Sequence, residues 1–332
     1  MNLNYVKKIA VAGVMLAFGV ANAATINTTL CVRSQDKTMS DGATVTFWGF
    51  TSSCGGMSTP QIPGPVVEVG TYPSGSGLTD TLNLTLDMMM APQENSPYSG
   101  HTIHLHGADV ITAEDGVPET GAVTTGDTYT WTPTSNMVGS NMYHCHVHTV
   151  KHLEMGMYGA LIARPKNTSG TFLNQLTQNT TTAWDYVQNY VFSSVDPAYH
   201  SATGDSTVFA DYNPKYFLIA GAEGKTTSAP AITLAAAVSK KVALRLIGIH
   251  SVNGTFAVKD GSGVAKSFTV YTEDGRELPS AQTVTSLDIS PGQRYDIIFS
   301  TPSTTGTWYP QMTYKNLRDG TAYATAYGKV TF

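Results

Sequence analysis

The chain carries its most reactive side chains in one short run, Met142-Tyr143-His144-Cys145-His146, followed by His152 and Met157. A thiolate, imidazoles and a thioether together can make a trigonal copper site with a weak axial sulfur. Neighbouring side chains on an extended strand point to opposite faces, so His144 and His146 face away from Cys145 and are free to bind something else. Upstream, His101-Thr102-Ile103-His104-Leu105-His106 places His104 and His106 on one strand face, while His101 has the opposite parity and points away. Seven of the nine histidines fall between positions 101 and 152, interleaved with a cysteine, and that density favours metal ligation over isolated core or surface histidines. Zinc also accepts histidine and cysteine, but the Cys/His/His/Met combination suits copper better.

Several neighbours compete for these roles. His148 is either an alternative ligand or a loop residue, and Met155 rivals Met157 as the axial sulfur. Met88, Met89 and Met90 offer soft sulfur, although three consecutive methionines at a strand end more often fill core and edge. Asp115, in the turn-rich stretch EDGVPETG (114–121), is a turn aspartate before glycine or an acid beside the histidines.

The elements that must position these residues read as strands. TVTFWGF (44–50), LTDTLNLTLDMMM (78–90), HTIHLHGADV (101–110), TYTWTP (128–133) and MYGALIARP (157–165) are β-rich or alternate apolar and polar residues. A second series follows in WDYVQNYVFSSVD (184–196), KKVALRLIGI (240–249), TFAVKDG (255–261), KSFTVYTEDG (266–275) and QRYDIIFST (293–301), with turn signals between them, as in a sandwich. No convincing amphipathic helix appears. The expected organisation is an all-β protein of two tandem Greek-key sandwiches, residues 24–165 and 183–332, joined by a Thr/Asn/Ser-rich linker, 166–182.

Lys7 and Lys8, the apolar run from Ile9 to Val20 and Ala21-Asn22-Ala23 read as a secretory signal peptide, residues 1–23, cleaved after Ala23. The run is too short to cross a bilayer comfortably, and nothing later reads as a membrane segment. A periplasmic or secreted location follows. In an oxidising compartment Cys31 and Cys54 pair as a disulfide, which leaves Cys145 as an odd thiol that a metal would protect. Only 13% of residues are charged and the net charge is −5, so no basic face exists for nucleic acid.

In HTIHLHG (101–107), DGVP (115–118), YHCH (143–146), HLEMGM (152–157), YFLIAG (216–221) and LDISPGQRYD (287–296) the sequence resembles the multicopper oxidase and cupredoxin superfamily. The resemblance implies cupredoxin-like sandwiches and a type 1 blue copper on His101, Cys145 and His152 with Met157 axial. It also implies a type 2 ligand at His104 and type 3 ligands at His106, His144 and His146. Electrons from a small-molecule or protein donor would pass through Cys145, with dioxygen as acceptor and Asp115 delivering protons. Two departures stand out. His152 lies six residues after His146, a longer ligand loop than the family's, and the second half offers only His200 and His250, too few to complete a trinuclear cluster. Three arrangements remain open. Two first domains could meet face to face in a dimer, each giving His104, His106, His144 and His146. The chain could resemble the trimeric copper nitrite reductases, with His106 and His144 joined by His250 or His200 of a neighbour. Or the type 1 copper works alone, in electron transfer or copper homeostasis.

Overall fold

The computed structural model describes residues 23–55, 58–88, 91, 100–120, 126–201 and 212–332. The expected signal peptide, apart from Ala23, and Met89 and Met90 lie outside the described residues.

Strands β1 (Thr25–Thr38), β2 (Thr44–Thr51), β3 (Gly64–Thr71), β4 (Thr81–Asp87), β5 (His104–His106), β6 (Thr128–Trp131), β7 (Gly139–His144) and β8 (Tyr158–Pro165) make two four-stranded sheets. Their orders are β2-β1-β4-β6 and β3-β8-β7-β5. Alternation explains the facing: in β4, Leu82, Leu84 and Leu86 are buried and the residues between them are half-exposed. These leucines meet Val32, Val69, Trp131 and Leu161 in one core, each large side chain contributing about 1.5–3 kcal/mol on burial. β7 and β8 are buried almost throughout, because their second face carries Met142, Tyr158 and Ile162 against Val191 and Ile247 of the second half.

From Tyr186 onward a seven-stranded and a six-stranded sheet face each other, and neither takes a strand from the first half. Phe192, Leu244, Phe256, Phe268, Ile297 and Tyr314 fill the space between them. The molecule is thus mostly β and cupredoxin-like, as expected. The segment 166–182 is not a loose tether: Lys166 pairs with the buried Asp80 at 2.6 Å, Gln178 donates to the Thr71 carbonyl at 2.6 Å, and Leu176 is buried against Ala243 and Ile298. Cys31 and Cys54 form the expected disulfide, with Cα atoms 5.4 Å apart, and Cys145 is free and buried.

Two expectations need correction. A helix, α1 (Thr149–Met155), stands where sequence periodicity shows none, because seven residues span too few turns to register a period. It stops at Gly156, whose φ of 111° suits glycine and whose N–H bonds back to Leu153 at 3.0 Å. The histidine-rich stretch 101–110 is strand only over β5, and His101 precedes the ladder in an irregular segment.

Candidate metal centre

β7 ends at His144, and Cys145 follows in the crossing to α1, with its N–H bonded to the Met157 carbonyl at 3.1 Å. That bond closes the turn of chain that bears His152 on α1. Cys145 Sγ lies 3.0 Å from His152 Nδ1 and 3.8 Å from His101 Nδ1. Sulfur and nitrogen ligands on one first-row metal, at about 2.3 and 2.0 Å with an angle of about 110–120°, sit about 3.5–3.8 Å apart, so the set fits an ion with small adjustment. All three side chains are at most 2% exposed. Met157 is fully buried and packs in the same core as Cys145, whereas Met155 is buried outside that cluster.

Burial alone would raise the Cys145 thiol, but the charge of His152 and hydrogen bonds from His101 and His152 outweigh it and hold the thiol well below its ordinary range. A thiolate is the form that binds metal. The Thr102 N–H also points at the sulfur, at 3.4 Å, a contact of the kind that tunes a copper–thiolate potential. Trp48, near the end of β2, sets its ring edge-on to His152 at 5.5 Å and to His101 at 6.2 Å, and the Lys151 ammonium lies over the same indole. Met88, beside this site, accepts the His101 N–H on its sulfur at 3.2 Å.

On the other side of Cys145, β5 and β7 pair His104 with His144 and His106 with Met142. One ligand atom each from His104, His106 and His144 falls within 4.8 Å of the others. His144 Nε2 and His106 Nδ1 are 3.3 Å apart, the separation of two nitrogens on one tetrahedral ion. His104 Nδ1 donates to the Asp115 carbonyl at 2.6 Å and His144 Nδ1 to the Cys145 carbonyl at 2.9 Å, so both present Nε2 to a metal. His146 completes the patch, its ring 5.0 Å from that of His104 and 5.9 Å from that of His144. Burial, with Arg294 next, lowers the His106 imidazole to about 4, and burial, with neighbouring histidines, lowers His144 to about 3. Burial lowers His104 too, against the bond to Asp115. Neutral imidazoles with free lone pairs are what a metal requires. His104, His106 and His146 stay half-exposed, so this set opens outward while the first is closed.

The second sandwich holds the strand between the two sets. Asp296, fully buried, accepts the Ser140 N–H at 2.9 Å and hydroxyl at 2.5 Å, and pairs with Arg245 at 3.2 Å. Arg294 donates to the Ser140 carbonyl and to Asn141, and its guanidinium fills the space where a Cβ on Gly107 would lie. Arg294 and Asp296 belong to the LDISPGQRYD stretch (287–296), whose motif signalled a family but gave no hint of these contacts. Trp48 and Thr102 also escape sequence reasoning, since neither type nor spacing marks them.

The remaining candidates are placed as follows. Asp115 sits at the open set, its carboxylate 3.3 Å from His104 Nδ1. Gly116 is required there, because a Cβ at its φ of 70° would strike the Ile103 carbonyl. His148 precedes α1 and meets His152 ring to ring at 5.9 Å. His200 is buried between the Thr46 carbonyl and Glu154 of its own chain. His250 is 1% exposed, bonded through Nδ1 to the Val252 carbonyl and lowered to about 4 by burial. Neither side chain reaches either ligand set within this chain, whereas His104 stands beside His106 and His144.

A buried cysteine between two histidines in a β-sandwich, backed by a histidine patch across the same residue, defines a cupredoxin-type copper protein. Multicopper oxidase family models match residues 81–168 and 180–329. The chain belongs to the multicopper oxidase family, and copper is its cofactor. It is 31% identical over 232 residues to Laccase-3 of Botryotinia fuckeliana, covering 67% of this chain and 47% of the laccase, so it spans about half the length of that relative. Its fold is shared with a blue copper oxidase from Nitrosomonas europaea, with a TM-score of 0.65 and 21% identity over 92% of this chain and 86% of the other. A copper nitrite reductase from the same organism matches with a TM-score of 0.63 and 19% identity, over 93% and 94% of the two chains.

Proposed function

We propose that the protein is an exported copper-dependent oxidoreductase of the laccase type, made of cupredoxin domains at 24–165 and 183–332. His101, Cys145, His152 and Met157 hold a type 1 copper. His104, His106, His144 and His146 hold part of a second, type 2/3 centre that another chain completes in a homo-oligomer. The observation that carries this reading is the sharing of Cys145: its sulfur faces one ligand set and its carbonyl fixes a histidine of the other. When bound, copper supplies one-electron chemistry, oxidising a small-molecule or protein donor and reducing an acceptor, dioxygen in this reading.

The chain's own residues prepare both ends. The core around Cys145 excludes water, and His152 and His101 keep the thiolate ionised against that burial. The carbonyls of Asp115 and Cys145 orient two imidazoles toward one point on the open face, where a small acceptor can reach. Asp115 is the acid placed to hand a proton to the reduced acceptor. No helix among the described residues is long and apolar enough to cross a membrane.

A second reading is favoured by the grouping of His104, His106 and His144 within one chain, which suits a mononuclear copper of the kind a nitrite reductase-like enzyme would use. Metal analysis of the reconstituted protein separates the alternatives. About two and a half coppers per chain in a dimer supports the face-to-face cluster, about two per chain supports the mononuclear site, and one, without oxidase turnover, leaves an electron carrier or copper-handling protein. Nitric oxide release with a reduced donor and nitrite tests the second reading directly.

A further inference from the structure

His152 shares α1 with a second buried polar residue, Glu154, whose carboxylate reaches the second sandwich. Its side chain is 2% exposed. One oxygen accepts the Asp196 N–H at 2.5 Å, the other accepts the Tyr212 hydroxyl at 3.0 Å, and His200 Nε2 lies 3.7 Å away. Each partner is itself fixed. Asp196 accepts the N–H groups of Ala198 and Asn213, and Tyr212 bonds Ser194 at 2.8 Å. His200 donates from Nδ1 to the Thr46 carbonyl at 2.6 Å and meets the Phe47 ring at 4.7 Å. Thr46 and Phe47 lie on β2, which also bears Trp48, the ring packed edge-on to His152. The contacts close a ring: α1, Glu154, His200, β2, Trp48 and back to His152.

A helix of seven residues does not hold its own position in water, so tertiary contacts must place it. Leu153 supplies an apolar one against the second sandwich. Glu154 supplies the directional one, because a carboxylate taken out of water persists only where both oxygens are bonded. We infer that Glu154 is a positioning residue: with Asp196, Tyr212 and His200 it fixes α1 so that His152 Nδ1 stays on the Cys145 sulfur. The second sandwich thereby sets the geometry of a metal site to which it gives no ligand. The inference rests on the reading that His101, Cys145 and His152 hold copper.

The test uses the copper-loaded full chain with Glu154→Ala and Glu154→Gln. Glutamine keeps an acceptor for the Asp196 N–H and a partner for Tyr212, so it preserves the position, whereas alanine releases it. Glu154→Ala is expected to weaken copper binding at the blue site about tenfold and to change its absorption band and copper hyperfine splitting, with both returned to wild-type values in Glu154→Gln. A wild-type spectrum and affinity in Glu154→Ala overturns the inference, as does a Glu154→Gln protein perturbed as much as Glu154→Ala. If Glu154→Ala does not fold, Tyr212→Phe decides: a smaller change in the same spectroscopic direction supports the role, and an unchanged spectrum overturns it. A wild-type protein that takes up copper without a blue band refutes the type 1 reading itself, and that outcome is visible before any variant is made.

Discussion

The two ligand sets that meet at Cys145 differ in closure. His101, Cys145 and His152 are sealed by the first sandwich's core and by α1, whereas His104, His106 and His146 stand half-exposed at the ends of β5 and β7. Both draw histidines from neighbouring positions, but only the closed set has a cysteine. What separates them is where each is gathered and what covers it: Cys145 turns into the core to meet His152 of α1 and His101, whereas His104, His106 and His144 collect where β5 pairs with β7. A closed set suits a site that passes electrons without meeting a substrate, and an open set suits a site that must admit one.

The largest expected effect comes from removing the residue the two sets share. Cys145→Ser should abolish the blue absorption and donor oxidation while leaving metal bound at the open set, as read by optical spectra with metal analysis. His106→Ala should do the reverse, keeping the blue band while acceptor reduction falls about a hundredfold and the second copper is lost. If both variants lose both features, the two sets are one folding unit and the contrast between them fails.

Asp115 sharpens the comparison at the open end. Its backbone carbonyl orients His104 whatever its side chain, so Asp115→Ala should reduce turnover by only about tenfold. Asp115→Asn should retain metal but lose the same activity, with a changed pH profile, if the carboxyl delivers protons. Full activity in that variant would reduce Asp115 to a turn residue.

Proton linkage of the copper-free chain gives a further contrast. His106, His144 and His250 are held at about 4, about 3 and about 4 in the folded chain, against about 6.5 unfolded. Between those values the unfolded chain binds more protons, so stability is whole above about pH 6.5 and is lost as pH falls through about 4 and, for His144, toward about 3. Thermal melting of the apoprotein should show this decline, and His106→Ala should make it shallower. Ser140→Ala should have the smallest effect, about 1–2 kcal/mol of stability, through loss of its hydroxyl bond to the buried Asp296.

Much of this was legible in the chain itself, and the reasons differ by region. The strands of both sandwiches follow from period-2 alternation, as Leu82, Leu84 and Leu86 illustrate. Parity accounts for His104 and His106 sharing one side of β5, but not for His101, which lies before the strand and reaches Cys145 from an irregular segment. Helix α1 was not legible, because seven residues carry no periodic signal and its stability comes from Leu153 and Glu154 packing on distant chain. The roles of His200, Arg294 and Asp296 were hidden for the same reason: each acts on a partner over 40 residues away in sequence. Met88, read as strand-end filling, packs on the first core and also accepts the His101 N–H on its sulfur, a contact that no spacing in the sequence marks.

The claim that one cysteine joins two metal sites is tested most directly by counting copper against blue absorbance in the reconstituted protein. An intense blue band with about two or more coppers per chain, falling to about one in His106→Ala with the band intact, is the expected result. A single copper per chain in the wild type, with His106→Ala indistinguishable from it, would contradict the claim.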